Sequence, residues 1–231
     1  MKGADELKSW IFAGKSDKRD LLLYMCKVLS GAGRKALLVD MTDGRKYRIL
    51  TGNGKPALPV TEFGGFDIAD GIGAADTASY DFCLYDTEML QFGSCGLWER
   101  ADAVLWVTTY DRYEVECSAQ WFGHLLNRWP QLANMAVRPV FVRTLDSFLT
   151  ADYILGYMEE LPIRWNRDYI KIPWSESNEA LQMENEHAQT ISIGRISRAY
   201  KNALLTLVAD LAGWSAPETK RALRHAERRR A

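Results

Sequence analysis

Short apolar runs alternate along this chain with longer stretches whose apolar residues recur every third or fourth position, and that alternation constrains the fold more than any other feature. A short apolar run rich in β-branched and aromatic residues suits a strand buried on both faces, while a spacing of three or four places one apolar stripe on a helix. Strands are expected near Ser9–Ala13, Lys35–Asp40, Asp81–Tyr85, Ala103–Thr108, Pro139–Thr144 and Asp168–Ile172. Helices are expected near Lys18–Ala32, Glu114–Trp129, Thr150–Glu160 and Ser192–Ala212. In the last of these, Ile193, Ile196, Tyr200, Leu204, Leu207 and Leu211 form one stripe, and Gly213 stands where a left-handed cap would end the helix. Strands joined by helical crossovers pair in parallel, so the expected class is α/β, a doubly wound, mainly parallel sheet with helices on both faces.

A length of 231 residues with 47% hydrophobic content suits one such domain and is short for two. Residues 1–214 are assigned to that single domain. The net charge of −1 argues against a globally basic nucleic-acid binder, but the charge is uneven. Residues 215–231 hold Lys220, Arg221, Arg224, Arg228, Arg229 and Arg230 against Glu218 and Glu227, a basic C-terminal tail on an acidic body. With little beyond Ala222, Leu223 and Ala226 to bury, this tail is expected as a frayed or surface helix. It is either a solvated end or an electrostatic attachment to nucleic-acid phosphate or anionic membrane, without the bulky apolar face of a strong lipid anchor.

Cys26, Cys83, Cys95 and Cys117 show no CxxC pairing, and His124, His187 and His225 show no ligand spacing, so no metal site is assigned. The aromatic helix carrying Trp121, Phe122, Leu125, Leu126 and Trp129 reads as core or subunit interface. No GxSxG elbow or other nucleophile arrangement nominates a catalytic residue. No window approaches the ~18 apolar residues of a spanning helix, and a reducing cytoplasm, with at most peripheral contact at the inner face of the membrane, is the expected location. Between Asp40 and Asp81, seven glycines punctuate short runs such as Tyr47–Leu50 and Phe66–Ala69, a pattern of turns, a hairpin and one further strand.

The stretch Ala13-Gly14-Lys15-Ser16-Asp17-Lys18-Arg19, between the first strand and the first helix, is laid out as a phosphate-binding loop but lacks most of its chemistry. Such a loop needs glycines that let backbone N–H groups wrap phosphate, a lysine for the outer phosphates and a hydroxyl for magnesium. Lys18 stands 22 residues before Asp40, at the end of the second strand. Reading Gly14-Lys15-Ser16 as the end of the motif instead leaves no glycine-rich loop before it and lengthens the link to Asp40 by three residues.

In this layout the chain resembles the ParA/MinD family of partitioning and positioning ATPases, whose loop is roughly KGGxGKT. Gly14 matches the first glycine and Lys18 the loop lysine; Lys15 and Asp17 take the other glycine positions, Arg19 that of the magnesium-binding hydroxyl, and Ala13 that of the signature lysine. Tyr80–Thr87 resembles the family's YDxxxxDTPPG segment, with Asp86 on the magnesium-linked aspartate and Glu88-Met89 in place of the prolines. Ala101–Thr109 resembles the next core strand, Arg143 replaces the asparagine that reads adenine, and Ile172–Ala180 resembles the turn that closes over the base. The match in layout spans about residues 9 to 213.

The resemblance implies a P-loop NTPase-like fold with a vestigial nucleotide site at Gly14, Lys15, Lys18, Arg19, Asp40 and Asp86. Taken one by one, Lys18 also reads as a solvated residue in a first helical turn, and Asp40 and Asp86 as polar strand ends. Lys15, Lys18 and Arg19 together could bind an anion weakly through charge at the helix N-terminus. With backbone access, hydroxyl and base-reading amide all replaced, the expected function is a pseudo-ATPase with no resident cofactor. It would act as a scaffold or positioning partner of a protein assembly such as pilus or secretion machinery. Family members pair face to face, so a homodimer, or a heterodimer with an active relative, is expected. The alternatives are an ATPase with weak ATP binding that drives localisation or segregation of DNA or protein cargo, and a nucleic-acid-binding module built on the tail.

Overall fold

The computed structural model describes residues 7–51, 58–88, 90 and 93–228. Among the described residues nine strands form one sheet: β1 Lys8–Ala13, β2 Ala36–Met41, β3 Val60–Phe63, β4 Phe66–Ala69, β5 Phe82–Thr87, β6 Ala103–Thr108, β7 Ala136–Thr144, β8 Arg164–Trp165 and β9 Ile170–Pro173. Their order is β3-β4-β2-β5-β1-β6-β7-β8, with β9 also on β7, and each of these pairings except β3–β4 is parallel. The helices are α1 Arg19–Gly31, α2 Arg48–Thr51, α3 Cys95–Glu99, α4 Arg112–Arg128, α5 Ala151–Gly156, α6 Glu176–Ala188, α7 Arg198–Ala212 and α8 Ala216–Arg228.

Alternation along the strands splits the core in two. Trp10 and Phe12 of β1, Leu38 of β2 and Leu105 and Val107 of β6 point to the layer of α1, α7 and α8. Ile11 and Ala13, Val39, and Val104 and Trp106 point to the layer of α3, α4 and α5. Side chains on successive strand residues face opposite ways, so a central strand buried on both faces must be apolar throughout. The aromatic helix is core: Trp121, Phe122, Leu125 and Leu126 are buried, while His124 is exposed. Among the described residues no helix is long and apolar enough to cross a membrane.

Several elements differ from expectation. Tyr47–Leu50 is not a strand: its last three residues open α2, and the hairpin is β3–β4, turned by Gly64 and Gly65 at positive φ. The helix expected over Ser192–Ala212 starts only at Arg198, because the Ser197 side chain accepts the Tyr200 N–H and caps it there. Gly213 does end it, at φ +71. The segment Ile172–Ala180, read as a turn, is helical from Glu176 onward and continues as α6, a helix of weak apolar pattern in which only Leu181 among the apolar residues is buried.

The segment expected as a frayed or surface helix is α8, a helix with one face packed on α1 and the other at the surface. Thr219, Ala222, Leu223 and Ala226 are buried against α1, while Arg221, Arg224 and Arg228 remain exposed. The contact is close because α1 presents Gly31, where a Cβ would lie 2.5 Å from the Ala222 carbonyl oxygen and 3.0 Å from the Ala226 methyl carbon. Replacing Gly31 with alanine should therefore displace α8. The expected cost is about 1–3 kcal/mol, read as a fall of roughly 2–4 °C in Tm per kcal/mol.

Candidate functional site

The strand order runs outward from β1 in both directions, which places the crevice of an open α/β sheet at the carboxyl ends of β1 and its neighbours β5 and β6. The loop from Gly14 to Lys18 lies there. Gly14 adopts φ +135 and a Cβ on it would lie 2.2 Å from the Val107 carbonyl oxygen, so this first loop glycine is required by both conformation and space. Ser16 is buried and donates to Glu114 of α4, which also accepts from the Thr109 hydroxyl at 2.6 Å. The loop is thereby fastened to the end of β6.

Lys18 is not solvated. It is 1% exposed, and its Nζ donates to the Gly14 carbonyl at 2.8 Å and contacts Asp86 Oδ1 at 2.8 Å. Asp86, also 1% exposed, closes β5 and lies in register beside Asp40 at the end of β2. Two adjacent buried carboxylates repel and need separate compensation. Asp86 receives the Lys18 cation and, on Oδ2, the Tyr47 hydroxyl at 2.7 Å. Asp40 receives the Thr42 hydroxyl at 2.6 Å and N–H at 2.9 Å, and the Tyr47 N–H at 3.1 Å. Burial still pushes the Asp40 carboxyl above its ordinary range, against those hydrogen bonds.

Tyr47 joins the two aspartates through its backbone and its ring. It is 1% exposed, and burial, the Asp86 charge and the hydrogen bond to it hold the phenol well above its ordinary value. The turn that delivers it is fixed by Arg45, at φ +55, which donates to the Asp40 carbonyl and pairs with Asp70.

The remaining expected residues point elsewhere. Arg19 folds back on Asp17 with bonds of 2.9 and 2.7 Å and reaches Glu186 at 3.0 Å. Burial raises the Asp17 carboxyl, but Arg19 outweighs it and the net displacement is downward. Lys15 is exposed. Lys15, Lys18 and Arg19 thus do not converge as an anion cluster: one is outward, one is internal, and one is tied to carboxylates. Arg143, at the asparagine position, donates to the Asp17 carbonyl at 2.7 Å, Glu179 at 2.9 Å and Gln182 at 3.2 Å. It latches the loop to α6.

Sequence reasoning selected Gly14, Lys18, Asp40 and Asp86, which the fold does bring together. It missed Tyr47 and Glu114. The available signal for Tyr47 was an aromatic within a polar turn just after Asp40; nothing in the sequence alone tied Glu114 to Ser16. The group that the layout implies, a nucleotide with magnesium, does not fit this set as arranged. Its lysine and both aspartates bind one another and Tyr47, and Arg19 stands in place of a metal-binding hydroxyl.

A loop between the first strand and first helix of a parallel sheet, faced by aspartates that close the adjoining strands, is the layout of the P-loop nucleoside-triphosphatase fold. Within that class the chain has the MinD and ParA fold. It matches MinD-containing structures from Aquifex aeolicus: the MinC:MinD cell division protein complex, with TM-score 0.61, 16% identity and coverage of 90% of this chain and 97% of the other, and MinD itself, with TM-score 0.57, 15% identity and coverage of 90% and 98%. It also matches a ParA family ATPase from Chlorobium tepidum TLS, with TM-score 0.53, 13% identity and coverage of 96% and 98%. No protein-family model and no curated protein matches the chain.

Two measurements follow from this geometry. Lys18→Met should lower unfolding free energy by about 3–5 kcal/mol, because a buried charge loses its partner, and adding Asp86→Leu should recover most of the loss in denaturant titrations. Tyr47 is raised above its ordinary 10.0 in the folded state, so its contribution is complete below that value and lost as pH rises through the folded value. Tyr47→Phe should flatten the alkaline decline in stability while costing about 1–3 kcal/mol at neutral pH.

Proposed function

We propose that this chain is a pseudo-ATPase of MinD/ParA fold that acts as a scaffold or positioning partner for another protein. Internal side chains hold the groups that bind nucleotide and magnesium in an ATPase of this fold. One observation carries the reading: the Lys18 ammonium is buried on Asp86, and Tyr47 covers the other oxygen of the same carboxylate.

Magnitudes support it. Pulling Lys18 away to a phosphate would leave Asp86 buried with Tyr47 alone, at a cost of about 3–5 kcal/mol. Millimolar affinity amounts to only about 4 kcal/mol. Opening the pair would therefore cancel the binding energy of a weak nucleotide ligand. The backbone cradle is also compromised, because Asp17 brings a carboxylate to the loop and Arg19 engages it.

The partner reading is supported by the company this fold keeps, since one similar structure is a complex of MinD with MinC. Within the family that the sequence resembles, members with atypical loops serve the placement of pilus and secretion machinery. A larger assembly of that kind is the proposed setting. A homodimer, or a heterodimer with an active relative, is the proposed form.

Calorimetric titration of the purified chain with ATP and with ADP, with and without magnesium, tests the proposal. No magnesium-dependent binding at millimolar nucleotide is the expected result. Magnesium-dependent binding below about 0.1 mM (~5.5 kcal/mol) would overturn it. The chain would then be an ATPase that moves protein or DNA cargo.

A further inference from the structure

The opposite end of the sheet is open. A groove of about 1210 Å³ lies between the end of α1, the residues preceding β2 and β5, and α8. Its walls carry Arg34 and Lys35 on one side and Arg221, His225 and Arg228 on the other, with Asp81 and Glu218 as the carboxylates. Asp81 is consumed by the wall itself: it accepts the Lys35 N–H at 2.7 Å and lies 3.7 Å from Arg34. Among the described residues no carboxylate forms a salt bridge with the side chains of Lys35, Arg221 or Arg228. Gly33 lines the groove at φ +77, with nothing within 4 Å of the place its Cβ would occupy.

The groove adjoins a second hollow of about 390 Å³ that shares Gly33, Arg34, Lys35, Ser79 and Tyr80 with it and extends to Glu62 and Gly65 at the β3–β4 turn. A path from a cationic end to a polar, mildly acidic end suits an extended chain whose charge is concentrated at one end.

We infer that this groove binds an acidic, extended peptide segment of a protein partner, with the carboxylates of that segment set on Lys35, Arg221 and Arg228. Complementary charge at such a surface adds mainly to specificity and association rate. The alternative anions fit less well. A lipid surface would need an apolar face to insert, and the apolar residues Ala222, Leu223 and Ala226 of α8 are buried on α1. A nucleic-acid strand carries a phosphate at every step and would meet Glu218, Glu62 and Asp67 along the path. A peptide can space its charges to avoid them.

The inference rests on the reading that the chain works through a protein partner. The groove and the Lys18 loop lie at opposite ends of the parallel strands, so peptide and nucleotide titrations can fail independently. The test is fluorescence anisotropy at low salt with a labelled peptide about ten residues long, glutamate alternating with serine over one half and glycine with serine over the other. It is run on the whole chain, on Arg221→Glu/Arg228→Glu, and on Arg112→Glu as a distant control, each first shown to be folded by circular dichroism. The expected result is binding weakened about tenfold or more by the double substitution and unchanged by the control. Equal effects in both variants, no binding, tighter binding of an oligodeoxythymidine of equal charge, or groove-dependent retention on phosphatidylglycerol vesicles would each overturn the assignment.

Discussion

The Lys18–Asp86 ion pair is the interaction on which the candidate site depends. Asp40 and Asp86 close neighbouring parallel strands in register, which places two carboxylates side by side in the interior. Such a pair requires a cation, protonation or dense hydrogen bonding. Here Lys18 supplies the cation to one aspartate, and Thr42 and the Tyr47 N–H supply donors to the other. Lys18 in turn fixes the loop after β1, because its ammonium also holds the Gly14 carbonyl. Tyr47 then seals the assembly from the far side, so the chain segment after β2 is positioned by the same charge.

A second set of contacts keeps that loop from opening. Arg143 sits at φ +50, uncommon for a residue with a side chain, and its three nitrogens reach the loop backbone and α6. Asp20, the second residue of α1, faces the same guanidinium at 3.9 Å and accepts the Tyr200 hydroxyl at 2.8 Å. Burial pushes the Asp20 carboxyl upward, and the arginine and the tyrosine hydroxyl oppose that shift. The loop is thus linked through β7, α6 and α7, and each link is a partly buried hydrogen bond or charge contact.

The layout was legible in the sequence because burial on both faces leaves a one-dimensional trace. The runs ending at Ala13, Asp40 and Thr108 are apolar at almost every position, and their helices carry clean stripes. Short or half-exposed elements leave no such trace. The two-residue β8 and the polar helix α6 gain their form from neighbours, and Tyr47 resembles any aromatic in a turn until the position of Asp86 is known. The site residues Gly14, Lys18, Asp40 and Asp86 could be selected by order and spacing alone. Their states could not, because whether a lysine faces solvent, phosphate or an aspartate is decided by long-range contacts that local sequence does not encode. The packing of α8 was hidden for a related reason: a helix of alanines and arginines buries well only where its partner offers a glycine, and Gly31 lies far away in the chain.

These features divide the molecule into two ends of different character. At the carboxyl ends of the strands, Lys18, Arg19 and Arg143 are each turned toward carboxylates of the chain itself. At the amino ends, Lys35, Arg221 and Arg228 line an open groove without salt-bridge partners among the described residues. Solvated cations keep their full capacity to meet an incoming anion, whereas a cation already paired in the interior must first break that pair. A ligand of opposite charge therefore encounters a lower desolvation and rearrangement cost at the α8 groove than at the closed loop.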